Sequence, residues 1–178
     1  QKLTLMKTSA DSLKKSADAL NDSSLWEKKK IKKKDEKTGE EIEVEDYDWD
    51  KITKAVKSFV EDYNDVVKEA GESNTKDVLR NASWMTGMTD KNSNMLAKIG
   101  ITIGKGNKLE LDEDALKQAD ISSLKTVFTG YNSFVSKISQ KATGISNAAN
   151  RASATYTNNG TYSKTDFSLT SSKIDKEV

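Results

Sequence analysis

Apolar side chains recur along this chain at alternating spacings of three and four in three separate stretches. Leu3, Met6, Ala10, Leu13, Ala17 and Leu20 form the first, a spacing that brings them onto one seam of a helix. Asn21-Asp22-Ser23-Ser24 ends it. Ile52, Val56, Phe59, Tyr63, Val66 and Ala70 repeat the pattern, with Asp48 and Asp50 ahead of them as N-cap carboxylates and Gly71 behind as a stop. The longest run, Leu124, Phe128, Tyr131, Val135, Ile138, Ala142, Ile145, Ala149 and Ala152, holds its phase for four heptads across Gly130 and Gly144. A sustained 3.5-residue repeat favours left-handed, coiled-coil-like packing, and Ala toward its end allows close helix approach. Amphipathic helices of this length are marginal alone. The seams therefore predict an elongated antiparallel bundle of three main helices, completed within the chain or by another subunit.

Two segments alternate with period two instead. Residues 28–34 are Lys except for Ile31, and residues 40–46 are acidic except for Ile42 and Val44. With Glu36-Lys37-Thr38-Gly39 as a four-residue loop and Gly39 left-handed, Lys34 faces Glu41, Lys32 faces Glu43 and Lys30 faces Glu45, while Ile31 and Val44 pair on the other side. A β-hairpin that neutralises its own charge explains the basic run better than a nucleic-acid patch does. Ile99-Gly100-Ile101-Thr102-Ile103, the loop Gly104-Lys105-Gly106-Asn107, and Lys108-Leu109-Glu110-Leu111 predict a second hairpin, after which Asp112 caps a short helix. Residues 75–98 are expected to form two short helices around Gly87, a core plug carrying Val78, Leu79, Trp84, Met85, Met88, Met95 and Leu96. Past Ala152 the composition turns to Ser, Thr, Asn and Tyr, with a turn at Thr157-Asn158-Asn159-Gly160-Thr161, and predicts a polar, flexible tail over residues 153–178. The expected organisation is one helical unit, 1–152, with a hairpin insert at 26–47 and the plug and second hairpin at 74–116.

Composition narrows the function more than it narrows the fold. The 178 residues are 34% hydrophobic and 32% charged, a balance suited to helices that bury a narrow stripe. A net charge of +1 supplies no global field toward nucleic acid or anionic membrane. No window reaches the length of a membrane span, and Gln1-Lys2-Leu3-Thr4 lacks the apolar start of a signal peptide. The chain contains no Cys, His or Pro. Thiolate and imidazole metal sites lose their usual ligands, and serine or cysteine triads lose their base. Without Pro, long uninterrupted helices are allowed.

The remaining chemical candidates have plainer explanations. Asp46, Asp48 and Asp50 imitate the opening of a calcium loop, but Lys51 stands where Gly is needed and Lys57 where the bidentate Glu is needed. Gly104-Lys105-Gly106 is followed by Leu109 at the third glycine position of a phosphate-binding turn, so a hairpin loop suffices. No pair among the 28 acids is singled out for acid/base work. No catalytic, cofactor-binding or metal-ligating residue is assigned, and no small-molecule substrate is implied.

Three phrases carry a family resemblance. They are Phe59-Val60-Glu61-Asp62-Tyr63-Asn64, then Leu96-Ala97-Lys98-Ile99-Gly100-Ile101, then Leu109-Glu110-Leu111-Asp112-Glu113-Asp114-Ala115-Leu116, with Val127-Phe128-Thr129-Gly130 continuing the order. Across residues 50–152 the chain resembles the C-terminal region of bacterial flagellar filament-capping proteins. The resemblance implies a non-catalytic, secreted axial protein that oligomerises at the filament tip and helps incoming flagellin subunits fold and insert. It implies an extracellular or flagellar location; composition alone leaves a cytoplasmic one open. The chain is shorter than a full cap protein, which fits a fragment or a reduced relative. The expected packing or assembly seam, within a protomer or between protomers, is Phe59, Tyr63, Val66, Leu124, Phe128, Tyr131, Val135, Ile138 and Ile145, with self-association and flagellin-like axial proteins as partners. A binding module using the charged hairpin or a Trp84/Met85/Met88 patch is the alternative.

Overall fold

The computed structural model describes residues 2–160 of the chain. Helix α1 (Lys2–Leu20) buries Met6, Ala10, Leu13, Ala17 and Leu20, the stripe its spacing dictates. A 3-10 turn, Ser23–Trp26, follows, with the Asp22 side chain accepting from the Ser24 N–H at 3.0 Å. Strands β1 (Lys29–Lys34) and β2 (Glu41–Asp46) form the charged hairpin, with Gly39 at φ +72° in its loop. Lys30 faces Glu45, Ile31 faces Val44, Lys32 faces Glu43 and Lys34 faces Glu41, as the alternation requires. Helix α2 (Trp49–Gly71) starts at Asp48, whose carboxylate accepts from the Lys51 N–H at 3.1 Å, and buries Ile52, Val56, Phe59, Tyr63, Val66 and Ala70.

Helix α3 (Lys76–Lys91) passes straight through Gly87, where two short helices are expected from the sequence. A mid-helix Gly costs only about 1 kcal/mol relative to Ala. The buried stripe of Val78, Ala82, Met85 and Thr89, packed against α2 and the last helix, outweighs that cost. The supposed plug is therefore a further bundle helix. The short helix α4 (Ser93–Ala97) leads into β3 (Ile101–Ile103) and β4 (Leu109–Leu111), which pair Ile101 with Leu111 and Ile103 with Leu109. Asp112 then caps α5 (Glu113–Gln118), accepting from the Ala115 N–H at 3.1 Å.

The longest heptad run is not one helix. It divides into α6 (Ile121–Phe128) and α7 (Phe134–Gly160). Gly130 sits at φ +103°, a conformation only Gly adopts without strain. Asn21 fixes it there, accepting from the Gly130 N–H at 2.9 Å and donating to its carbonyl at 3.3 Å. Ser133 restarts the helix by accepting from the Ser136 N–H at 3.1 Å. Phe128 and Val135 keep their heptad separation and are both buried, but they lie on different helices. Tyr131, assigned to the same seam, falls in the break and is 84% exposed. Helix α7 continues to Gly160, past Ala152 and through the start of the expected turn; the rest of the expected tail, residues 161–178, lies outside the described residues.

The result is a mainly helical bundle with two short antiparallel hairpins. Helix α1 makes its main contacts with α7 and α2, and α3 packs on α7. Asp18 meets Ser139 at 2.7 Å and Asp11 meets Ser146 at 2.6 Å, so α1 and α7 run in opposite directions. One apolar core runs through all these contacts. Each fully buried Leu, Ile or Phe within it contributes about 1.5–3 kcal/mol by leaving water.

Candidate assembly junction and surfaces

Phe59, Tyr63 and Asn64 lie within about one and a half turns of each other on α2, and each docks a different part of the chain. The Phe59 ring meets Phe134 edge-on at 6.4 Å and Tyr63 at 6.2 Å. The Tyr63 hydroxyl donates to Thr89 Oγ1 on α3 at 2.8 Å, and Thr89 donates on to the Met85 carbonyl at 2.9 Å. Burial pushes the Tyr63 phenol up to about 12, since an anion there would lose its water; the Thr89 hydrogen bond opposes this and Asp90 adds to it.

Asn64 takes the place of a missing strand. Gly104 N–H donates to the Lys108 carbonyl at 2.7 Å, making that pair the bonded one. Bonded and non-bonded pairs alternate in an antiparallel ladder, so the Leu109 N–H and carbonyl point away from β3. Asn64 meets both, accepting from the Leu109 N–H at 2.7 Å and donating to its carbonyl at 2.9 Å. Gly100 closes the other end. Its carbonyl accepts from Asp112 N–H at 2.8 Å, and at φ +90° a Cβ would lie 2.7 Å from the Asp112 carbonyl oxygen. The three phrases singled out in the sequence thus meet at one junction of α2, the second hairpin and α5.

Of the expected packing or assembly seam, all but Tyr131 face inward. Phe59, Tyr63, Val66, Leu124, Phe128, Val135, Ile138 and Ile145 are fully buried inside the protomer, and only Tyr131 is exposed. The Trp84/Met85/Met88 patch does not form. Met85 is fully buried and Met88 half-buried, while Trp84 is 54% exposed with the Lys141 ammonium 4.7 Å above its ring. Positions 84 and 85 project to different sides of α3, because adjacent residues on a helix do not share a face.

Sequence reasoning missed two features. Trp26 stacks on Phe128 at 5.6 Å and donates to the Leu20 carbonyl at 2.7 Å, tying the end of α1 to α6. A lone Trp in a Ser-rich turn carries no periodicity to reveal it. The second is a polar ladder beside the α1–α7 contact, Lys7, Asp11 and Ser146, then Lys14, Asp18 and Ser139. Its signal was legible: a Lys-x-x-x-Asp pair repeated after seven residues, matched by Ser139 and Ser146 seven apart. Hydrogen bonds from Lys7 and then Ser146 hold the Asp11 carboxyl below its ordinary value. At Asp18 burial acts in the opposite direction and is the largest single influence, but Lys14 and Ser139 together outweigh it and the carboxyl is again lowered.

Among the described residues no group of three or more acids could hold a metal ion, and no helix is long and apolar enough to cross a membrane. A groove of about 240 Å³ between the start of α1 and the end of α2 is lined by Leu3, Leu5 and Met6 with Glu69 and Glu72. The fold is a mainly helical bundle whose family-like motifs face inward. Residues 71–178 match the model of the flagellar hook-associated protein 2 C-terminus, and the chain belongs to that family. The family is structural, not catalytic. Neither the curated proteins nor the solved structures gave a match.

Proposed function

We propose that this chain is a non-catalytic assembly protein that associates with copies of itself and with flagellin-like axial proteins outside the cell, at the tip of a flagellar filament. The family match over residues 71–178 carries this reading. The junction supports it, because the residues of the three phrases hold α2, the second hairpin and α5 in one arrangement, as a subunit placed in an ordered array needs. Coiled-coil-like seams stiffen the subunit: Met6, Leu13 and Leu20 on α1, and Ile138 and Ile145 on α7, are buried at heptad spacing. Residues 2–160 act as one helical unit.

Since the seams are satisfied within the protomer, association uses what remains outside: the charged hairpin, Leu5, Leu79, Tyr131 and Trp84. The test is to add purified, labelled chain to flagellin filaments and image them by electron microscopy. Label at one filament end is the expected result; label along the shaft, or none, would overturn the reading.

A further inference from the structure

The β1–β2 hairpin is exposed along both of its outer edges, and those edges differ in chemistry. Asp35 N–H donates to the Glu40 carbonyl at 2.7 Å, which makes that pair a bonded one. Counting back along the register, Lys33–Ile42, Ile31–Val44 and Lys29–Asp46 are bonded pairs, and Lys34–Glu41, Lys32–Glu43 and Lys30–Glu45 are not. The non-bonded residues direct their backbone N–H and carbonyl groups outward. Every residue that presents backbone groups along the free edge of β1 is therefore Lys, and every one along the free edge of β2 is Glu. All six side chains are exposed.

An unpaired edge is a template for another strand, and edge charges ordinarily prevent such pairing. Here the protection is selective. Two β1 edges would set Lys opposite Lys, and two β2 edges would set Glu opposite Glu, both destabilising. A β2 edge against the β1 edge of another copy gives each Lys a Glu on either side and continues the Ile31 and Val44 row on the opposite face. The main contact of each strand is the other strand, and the six edge side chains are all exposed.

We infer that the hairpin joins copies of this chain head to tail, the Glu41, Glu43 and Glu45 edge of one adding as a strand beside the Lys30, Lys32 and Lys34 edge of the next. The contact is heterologous, so it propagates into a ring or a filament and does not stop at a two-fold dimer. It rests on the reading that the chain self-associates and specifies the surface.

The test uses two edge-blocking variants of the full chain. Lys32→Pro and Glu43→Pro each remove an outward N–H and leave the bonds between β1 and β2 in place. Sedimentation equilibrium at low salt is expected to show association of the wild-type chain, weakened at least tenfold from about 0.01 M to 1 M salt as the charges are screened. Each variant alone remains monomeric. Their equimolar mixture forms a one-to-one dimer, because one keeps an intact Glu edge and the other an intact Lys edge. Amide exchange at Ile31 and Val44 reports whether the hairpin has survived. Should Pro open it, the triple Lys→Gln variant at 30, 32 and 34 and the triple Glu→Gln variant at 41, 43 and 45 replace the pair, each alone losing at least tenfold in association. A wild-type oligomer with unaffected variants overturns the edge assignment alone. A wild-type chain that is monomeric throughout overturns the self-association reading with it.

Discussion

Replacing Asn64 by Ala tests the junction at its most specific point. The substitution removes the acceptor that meets the Leu109 N–H at 2.7 Å and the donor that meets the Leu109 carbonyl at 2.9 Å. Leu109 is buried, so its two backbone groups lose their partners where water reaches poorly. Leaving a buried donor or acceptor unsatisfied costs about 1–3 kcal/mol. Asn64 itself is half-buried, and some water follows the truncation, which sets the expected loss near the low end at about 2–3 kcal/mol for the pair. For a chain of this size each kcal/mol shifts the melting temperature by about 2–4 °C, so a fall of about 4–12 °C is expected. Urea unfolding followed by the fluorescence of buried Trp26 measures the free energy. Exchange of the Leu109 amide measures the mechanism. Asn64→Asp, which keeps an acceptor and loses the donor, should retain part of the Leu109 N–H protection. A loss below about 0.5 kcal/mol, or unchanged exchange at Leu109, would refute the claim that Asn64 substitutes for a strand.

Other perturbations address the core and its charges. Ile138→Asp or Ile145→Asp places a carboxylate at a fully buried position of α7 and should cost at least about 3–5 kcal/mol, read as loss of helical circular dichroism; unchanged helicity and mass would contradict the seam. Because the Tyr63 phenol is pushed up to about 12 in the folded chain, the stability it protects is intact below its ordinary value of 10.0 and falls as pH rises between the two, by on the order of 2–3 kcal/mol. Tyr63→Phe should remove that alkaline step, and the late titration of the Tyr63 phenol in the ultraviolet spectrum should disappear with it. Asp11 and Asp18 have lowered carboxyl pKa values, so their contribution is present above the ordinary 3.8 and is lost as pH falls through the lowered values. Ser139→Ala with Ser146→Ala should shrink the stability difference between neutral and acid pH, measured as the change in urea midpoint.

The two complete seams were legible because α1 and α2 each bury one stripe at constant phase, and periodicity reports burial directly. The charged hairpin was legible down to its register, since period two with opposite charges leaves one satisfactory pairing. The break at residues 129–133 was not legible from spacing, because a five-residue loop happens to preserve a seven-residue separation between Phe128 and Val135. Turn-forming Gly130, Asn132 and Ser133 marked it, and their composition should have outweighed phase. Gly87 misled in the opposite direction, since tertiary packing of α3 overrides local propensity. Periodicity also cannot say whose surface a stripe meets. Phe59, Tyr63, Phe128 and Val135 read equally as contacts within or between copies, and the structure places them inside.

Self-association is the claim on which the functional account depends. Light scattering coupled to size exclusion, over a wide concentration range at physiological salt, measures it most directly. The account predicts a mass above the 19.7 kDa of one chain that rises with concentration. A constant 19.7 kDa at every concentration would contradict it.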